Sequence, residues 1–160
     1  MNKNRHVLSI LVENYSGTLS KVAGLFSRRG YNVDTLNVAE TQDPNISRIT
    51  VTVTGDVYIL EQIIKQLNKL INVIKITDLT KRPSVLRELM LIKIHSNTQT
   101  RSELIQIADI FRAKIVDVSP KSVTIEITGD EDKNKGLLEL VRPYGIVEMT
   151  RTGLTALERG

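Results

Sequence analysis

The chain opens on an almost unbroken apolar run at residues 7–12, the pattern of a strand buried in the middle of a sheet. Glu13-Asn14-Tyr15-Ser16-Gly17-Thr18 then interrupts it with loop chemistry. Leu19, Val22, Ala23 and Phe26 follow at i, i+3, i+4 and i+7, which predicts a helix with one apolar face, and Gly30 is placed to end it. Residues 31–40 and 48–54 predict two strands. In the second, Ile49, Val51 and Val53 alternate with Thr50, Thr52 and Thr54, a half-buried pattern. Gly55-Asp56 stops that strand and caps a second helix, whose inner face is Leu60, Ile63, Ile64 and Leu67. Residues 72–78 close the unit as a fourth strand, in the order βαββαβ.

The same order recurs. Residues 88–94 predict a strand. Thr100 with Glu103 predicts a capping box for a helix that turns Leu104, Ile107, Ala108 and Phe111 inward. Residues 114–119 and 122–128 pair around Pro120-Lys121, Gly129-Asp130 opens the last helix, and residues 146–150 form the final strand. Thr52-Val53-Thr54-Gly55-Asp56 and Glu126-Ile127-Thr128-Gly129-Asp130 stand 74 residues apart, whereas Phe26 and Phe111 stand 85 apart. The offset shrinks because the connection at residues 42–47 is long and its counterpart is tight. The pattern therefore predicts an α+β chain of two ferredoxin-like βαββαβ units in tandem, residues 4–79 and 87–160. They are joined by a linker at 80–86 that Pro83 punctuates.

Composition agrees with this reading. Of 160 residues 41% are hydrophobic and 25% charged, the profile of a globular chain. Eighteen Ile against six aromatic rings make the expected core aliphatic and β-branched. The lack of Cys excludes disulfides, thiolate metal sites and a Cys nucleophile. The net charge of +4 is interspersed, with no basic run that reads as a nucleic-acid or membrane arm. No apolar stretch approaches the length of a membrane span, and residues 1–6 leave no room for a signal or transit peptide.

Candidate chemistry is sparse. His6 and His95 are isolated and read as structural. No catalytic triad order, zinc-binding His motif, P-loop or dinucleotide fingerprint is present, so neither catalytic residues nor a metal site are expected. Asp130-Glu131-Asp132 reads as a cap with an acidic first turn, and Arg28-Arg29 as the basic end of a helix. RNA-recognition modules share the ferredoxin-like topology but stack bases on strand aromatics, and residues 7–12 and 48–54 contain none.

One loop stands out. Residues 14–18 join the central strand to a helix N-terminus, where unpaired N–H groups and the helix dipole favour a carboxylate. Gly17 permits close approach, and the Asn14 amide both donates and accepts. The residues alone favour a plain Asn/Ser/Gly turn with a cap over a binding site.

Taken together, several segments resemble the small (regulatory) subunits of acetohydroxyacid synthase, also called acetolactate synthase. They are His6-Val7-Leu8-Ser9-Ile10-Leu11-Val12-Glu13-Asn14, Val22-Ala23-Gly24-Leu25-Phe26-Ser27-Arg28-Arg29-Gly30-Tyr31-Asn32, and Ser47-Arg48-Ile49. Arg87-Glu88-Leu89-Met90-Leu91-Ile92-Lys93, Ile110-Phe111-Arg112-Ala113-Lys114-Ile115-Val116-Asp117-Val118 and Arg151-Thr152-Gly153 continue the match. The resemblance implies an N-terminal ACT domain, an amino-acid-sensing module, and a C-terminal domain of the same family suited to docking or dimerisation. It implies a chain without catalysis or bound cofactor. Its partner would be the large catalytic subunit, on which thiamine diphosphate, Mg and FAD are expected. The small subunit raises that partner's activity and confers feedback inhibition by valine or another branched-chain amino acid. The implied effector site lies between two ACT domains of a homodimer, with Asn14, Gly17, Thr18 and Leu19 from one chain and Asn32 and Val33 from the other. Tyr15 departs from the small or acidic residue usual in that loop. A free-standing ACT-type sensor for another partner is the alternative. Lys (eleven) and Asn (ten) outnumber Ala (five), which suggests an AT-rich genome. The location implied is the plastid stroma for a plastid-encoded chain and otherwise a bacterial cytoplasm, with the composition leaning to the plastid.

Overall fold

The computed structural model describes residues 4–160, which divide into two compact units. The first takes in the described residues up to Val85 together with Leu154–Gly160, and the second is Leu86–Gly153. In the first, β1 (Arg5–Glu13), α1 (Thr18–Arg28), β2 (Asn32–Glu40), β3 (Ile46–Thr54), α2 (Val57–Asn68) and β4 (Val73–Asp78) run in the predicted order. They form an antiparallel sheet ordered β2-β3-β1-β4. The register sets Leu8 opposite Val51 and Ile10 opposite Ile49, so the β-branched residues of the two central strands share one face. That face packs on Val22, Leu25 and Phe26 of α1 and Leu60, Ile63 and Leu67 of α2, all buried. The Asp56 carboxylate accepts the Ile59 N–H at 2.9 Å and caps α2 as its sequence position predicts. His6 is structural: its Nε2 lies 3.0 Å from the Gly55 carbonyl oxygen.

The opposite face of this sheet is a correction to the sequence reading. Alternation predicts Thr50 and Thr52 half-exposed, yet they are 2% and 0% exposed, and Ser9 beside them is 2% exposed. The end of the chain borders this face, where Thr155 and Ala156 line a recess with Arg48 and Thr50, and Thr52 Oγ1 lies 2.6 Å from Thr35 Oγ1. Residues 154–160, placed by sequence with the second unit, group with the first, and residues 155–158 form a further strand, β9 (Thr155–Glu158), that pairs with the strand Ser84–His95 and that the pattern did not predict. The Arg159 N–H donates to the Pro83 carbonyl at 2.8 Å, and Arg82 pairs with Glu158 at 3.0 Å. Leu154 and Ala156 are buried, as is Leu79 in the 3-10 turn Leu79–Lys81. A four-residue strand with two apolar positions is too short for periodicity to detect. Its burial becomes visible only when the face it borders is built.

In the second unit β5 (Ser84–His95), whose first two residues group with the first unit, is followed by α3 (Arg101–Ile110), β6 (Lys114–Ser119), β7 (Ser122–Gly129), α4 (Glu131–Val141) and β8 (Ile146–Arg151). The sheet order β6-β7-β5-β8 repeats that of the first. Met90, Ile92, Ile94, Ile125 and Ile127 pack on Leu104, Ala108, Leu137 and Val141. Asn134, buried on α4, donates to the Glu88 carbonyl at 2.9 Å and ties the helix to the end of β5.

The predicted Thr100–Glu103 capping box does not form. Thr100 has near-helical backbone angles (φ −85°, ψ −17°), and its side chain caps nothing. Instead the Asn97 carboxamide oxygen accepts the N–H groups of Gln99 and Thr100, each at 2.9 Å, while Thr100 Oγ1 accepts the Asn97 N–H. Glu103 accepts the Tyr144 hydroxyl at 2.7 Å instead, and that bond raises the Tyr144 pKa above the usual tyrosine value. Asn97→Ala should therefore cost about 1 kcal/mol of stability, while Thr100→Ala costs less. Urea midpoints of the two variants check the order.

Candidate functional site

The loop after β1 is built around a glycine that no other residue replaces cheaply. Gly17 has φ +87°, in the left-handed region, and precedes Thr18 as the N-cap position of α1. It brings no side chain to the helix end, and among the described residues no side-chain hydrogen bond caps it. The other three helices differ. Asp56 and Asp130 cap α2 and α4, and Asn97 fills the corresponding place before α3. At α1 the Thr18 N–H reaches the Tyr15 carbonyl at 3.2 Å and the Lys21 N–H reaches Gly17, leaving the Leu19 and Ser20 N–H groups directed outward. Those two donors, with the positive end of the helix dipole, match the oxygen atoms of a carboxylate.

The surrounding residues are fixed from several elements. Asn14 donates its backbone N–H to the Asn45 carbonyl at 2.8 Å. Its Nδ2 donates to the Pro44 carbonyl at 3.0 Å and to Glu40 Oε1 at 3.4 Å. Both amide hydrogens are thus spent on the β2–β3 connection, and the carboxamide oxygen is what Asn14 has to offer a ligand's ammonium group. Thr18 is 4% exposed and accepts from Asn72 Nδ2 at 3.3 Å, so it anchors the loop. Tyr15 and Leu19 are exposed beside it. Sequence reading treated residues 42–47 as a connection only and missed Glu40, Pro44, Asn45 and Asn72. The Asp43-Pro44-Asn45 turn is the signal that was available.

Asn32 and Val33 are elsewhere. They open β2, opposite Thr54 and Val53, whereas Glu13 lies opposite Ile46 at the other end of β3. Eight strand residues separate the two positions, about 27 Å. One chain therefore brings together Asn14, Gly17, Thr18 and Leu19 and leaves Asn32 and Val33 at the far end of the sheet. The latter pair borders an open groove of 610 Å³ between α1 and β2, with Phe26, Tyr31 and Leu36 in its walls. β2 is an edge strand with Val33, Leu36 and Val38 exposed, an edge that invites pairing. Among the described residues no group of His, Asp and Glu is placed to hold a metal ion, and no helix is long and apolar enough to cross a membrane.

The tandem sheets and the uncapped helix after the first strand define a class, and comparison with known proteins names it. Residues 8–75 match the model of the AHAS small subunit-like ACT domain, so the first unit is an ACT domain. Residues 87–160 match the model of the small subunit of acetolactate synthase. The chain is 50% identical over 161 residues to the probable acetolactate synthase small subunit of Methanothermobacter thermautotrophicus, covering 100% of this chain and 96% of that protein. It is 48% identical over 155 residues to the chloroplastic acetolactate synthase small subunit 2 of Arabidopsis thaliana, covering 97% of this chain and 32% of the plant protein. The crystal structure of the acetolactate synthase small subunit from Thermotoga maritima superposes with a TM-score of 0.88 at 39% identity, over 98% of each chain. The chain belongs to the acetolactate synthase small-subunit family.

Proposed function

We propose that this chain is the regulatory, non-catalytic subunit of an acetolactate synthase. It binds the large thiamine-diphosphate-dependent subunit, raises its rate, and makes it sensitive to valine or another branched-chain amino acid, the end products of that synthesis. The observation that carries the sensing part is the uncapped start of α1, whose Leu19 and Ser20 N–H groups are left for a carboxylate, while Asn14, its Nδ2 spent on Glu40 and Pro44, keeps its carboxamide oxygen for an ammonium. No cofactor is assigned to the chain itself. Thiamine diphosphate, Mg and FAD belong to the catalytic partner, and the reaction, a transfer of a two-carbon unit, is that partner's.

The effector site is completed by a second copy. The separation of about 27 Å along β3 is bridged when two β2 edges pair antiparallel, setting Asn32 and Val33 of one chain beside the loop of the other. A homodimer is the smallest competent state. Match to archaeal and bacterial relatives along nearly their whole length favours a prokaryotic cytoplasm over the plastid that composition suggested.

The test is reconstitution. Purified chain mixed with a thiamine-dependent acetolactate-forming subunit should raise the rate, and valine should lower it again. Sedimentation of the chain alone at micromolar concentration should show a dimer. Unchanged rate with and without valine would dismiss the proposal in favour of a sensor acting on another partner.

A further inference from the structure

The polar face of the first sheet holds a cation, Arg48, that forms no ion pair among the described residues. Arg48 lies on β3 in the row of Thr50 and Thr52, away from the helices. It is half-buried, and its Nη1 donates at 2.5 Å to Ser9 Oγ, a neutral hydroxyl. A guanidinium carries five N–H donors in a rigid fork that matches a carboxylate or phosphate, and partial burial without a counter-ion costs solvation that such a ligand restores.

A recess of 260 Å³ opens beside it. Arg48 and Thr50 form its floor, Asn37 on β2 one side, and Thr155 on the terminal strand β9 the other. The Asn37 amide and the Thr50 and Thr155 hydroxyls make no side-chain hydrogen bond within the described residues, so neutral donors and acceptors surround the cation unspent. The volume equals about nine water molecules. Glu40 at the rim disfavours a dianion.

We propose that this recess is a second small-molecule site, taking a compact carboxylate. Arg48 forks onto the carboxylate, and Asn37, Thr50 and Thr155 hold the remainder. The site stands on the sheet face opposite the helices and is distinct from the Gly17 loop, although Glu40 at its edge also accepts from Asn14. Because Thr155 belongs to β9, occupancy fastens the end of the chain onto β2 and β3.

The experiment is a titration of the full chain followed by backbone amide resonances. Sodium acetate and inorganic phosphate are the probes, and sodium chloride at matched ionic strength is the control. Acetate is expected to shift the Asn37, Thr50 and Thr155 amides saturably, phosphate more weakly, and chloride not at all. Arg48→Met should weaken acetate binding at least about tenfold, and Arg48→Lys should keep part of it. Thr155→Val, on an exposed position, gives a second measure should the Arg48 variants fail to fold, and it too should weaken binding. Shifts that rise linearly and alike for all three salts, or acetate binding unchanged in folded Arg48→Met or in Thr155→Val, would overturn the site. Tighter binding of phosphate than of acetate would overturn its assignment to carboxylates.

Discussion

Gly17→Asp is expected to abolish valine inhibition of the reconstituted enzyme while sparing stimulation of the catalytic subunit. The new carboxylate would stand where the effector's carboxylate meets the Leu19 and Ser20 N–H groups. Losing one charge-assisted hydrogen bond costs about 1.5–3 kcal/mol, or about 10- to 150-fold in affinity, before repulsion is added. Stability is also affected, and for a separate reason. Nothing lies within 4 Å of a Cβ built at Gly17, so no clash arises. The cost is the backbone itself, φ +87°, at about 1–2 kcal/mol for a residue with a side chain. Asp tolerates that region better than most and is favoured at a helix start, which places the net loss at the low end. Gly17→Asn carries the same backbone cost without the charge and so separates the two effects. It should melt like Gly17→Asp yet retain more valine sensitivity. If Gly17→Asp is folded and valine inhibits at its original concentration, the effector binds elsewhere.

Leu154→Ala should destabilise the N-terminal unit although it follows the whole of the second one in sequence. Leu154 is 2% exposed and groups with the first unit, next to the terminal strand whose Thr155 shares a recess with Thr50. Truncating a buried Leu costs about 2–5 kcal/mol, and a strap at a surface settles enough to place this case at about 2–3 kcal/mol. Hydrogen exchange would locate the loss. Amides of β1 and β3 should open faster while those of β7 keep their protection. Faster exchange confined to Leu86–Gly153 would show that the terminal strand serves the second unit instead. The same reasoning bears on truncation. A fragment ending near residue 82 retains the two helices and four strands of the first unit but loses Leu154 and Ala156, so it should fold with reduced stability.

The sequence by itself determined both βαββαβ units, because each strand and helix carries its own periodicity. Ile49, Val51 and Val53 at a period of two and Leu60, Ile63, Ile64 and Leu67 at a helical period leave little choice about which side faces the core. Asp56 and Asp130 marked helix starts because a cap is a local bond between residues three apart. The Gly17 loop was visible as chemistry, though only likeness to known small subunits raised it above an ordinary turn. What tertiary structure alone decided is everything that depends on residues distant in sequence. The amide hydrogens of Asn14 were claimed by Glu40 and Pro44, thirty residues away at most. Asn32 was parted from the loop by the length of β3. Residues 154–160 group with the first unit, and the row of Thr that alternation had assigned to solvent is buried. Local patterns record which face of an element is apolar. They hold no record of which distant segment borders the polar face, because that contact is made by closing the chain and not by any period within it.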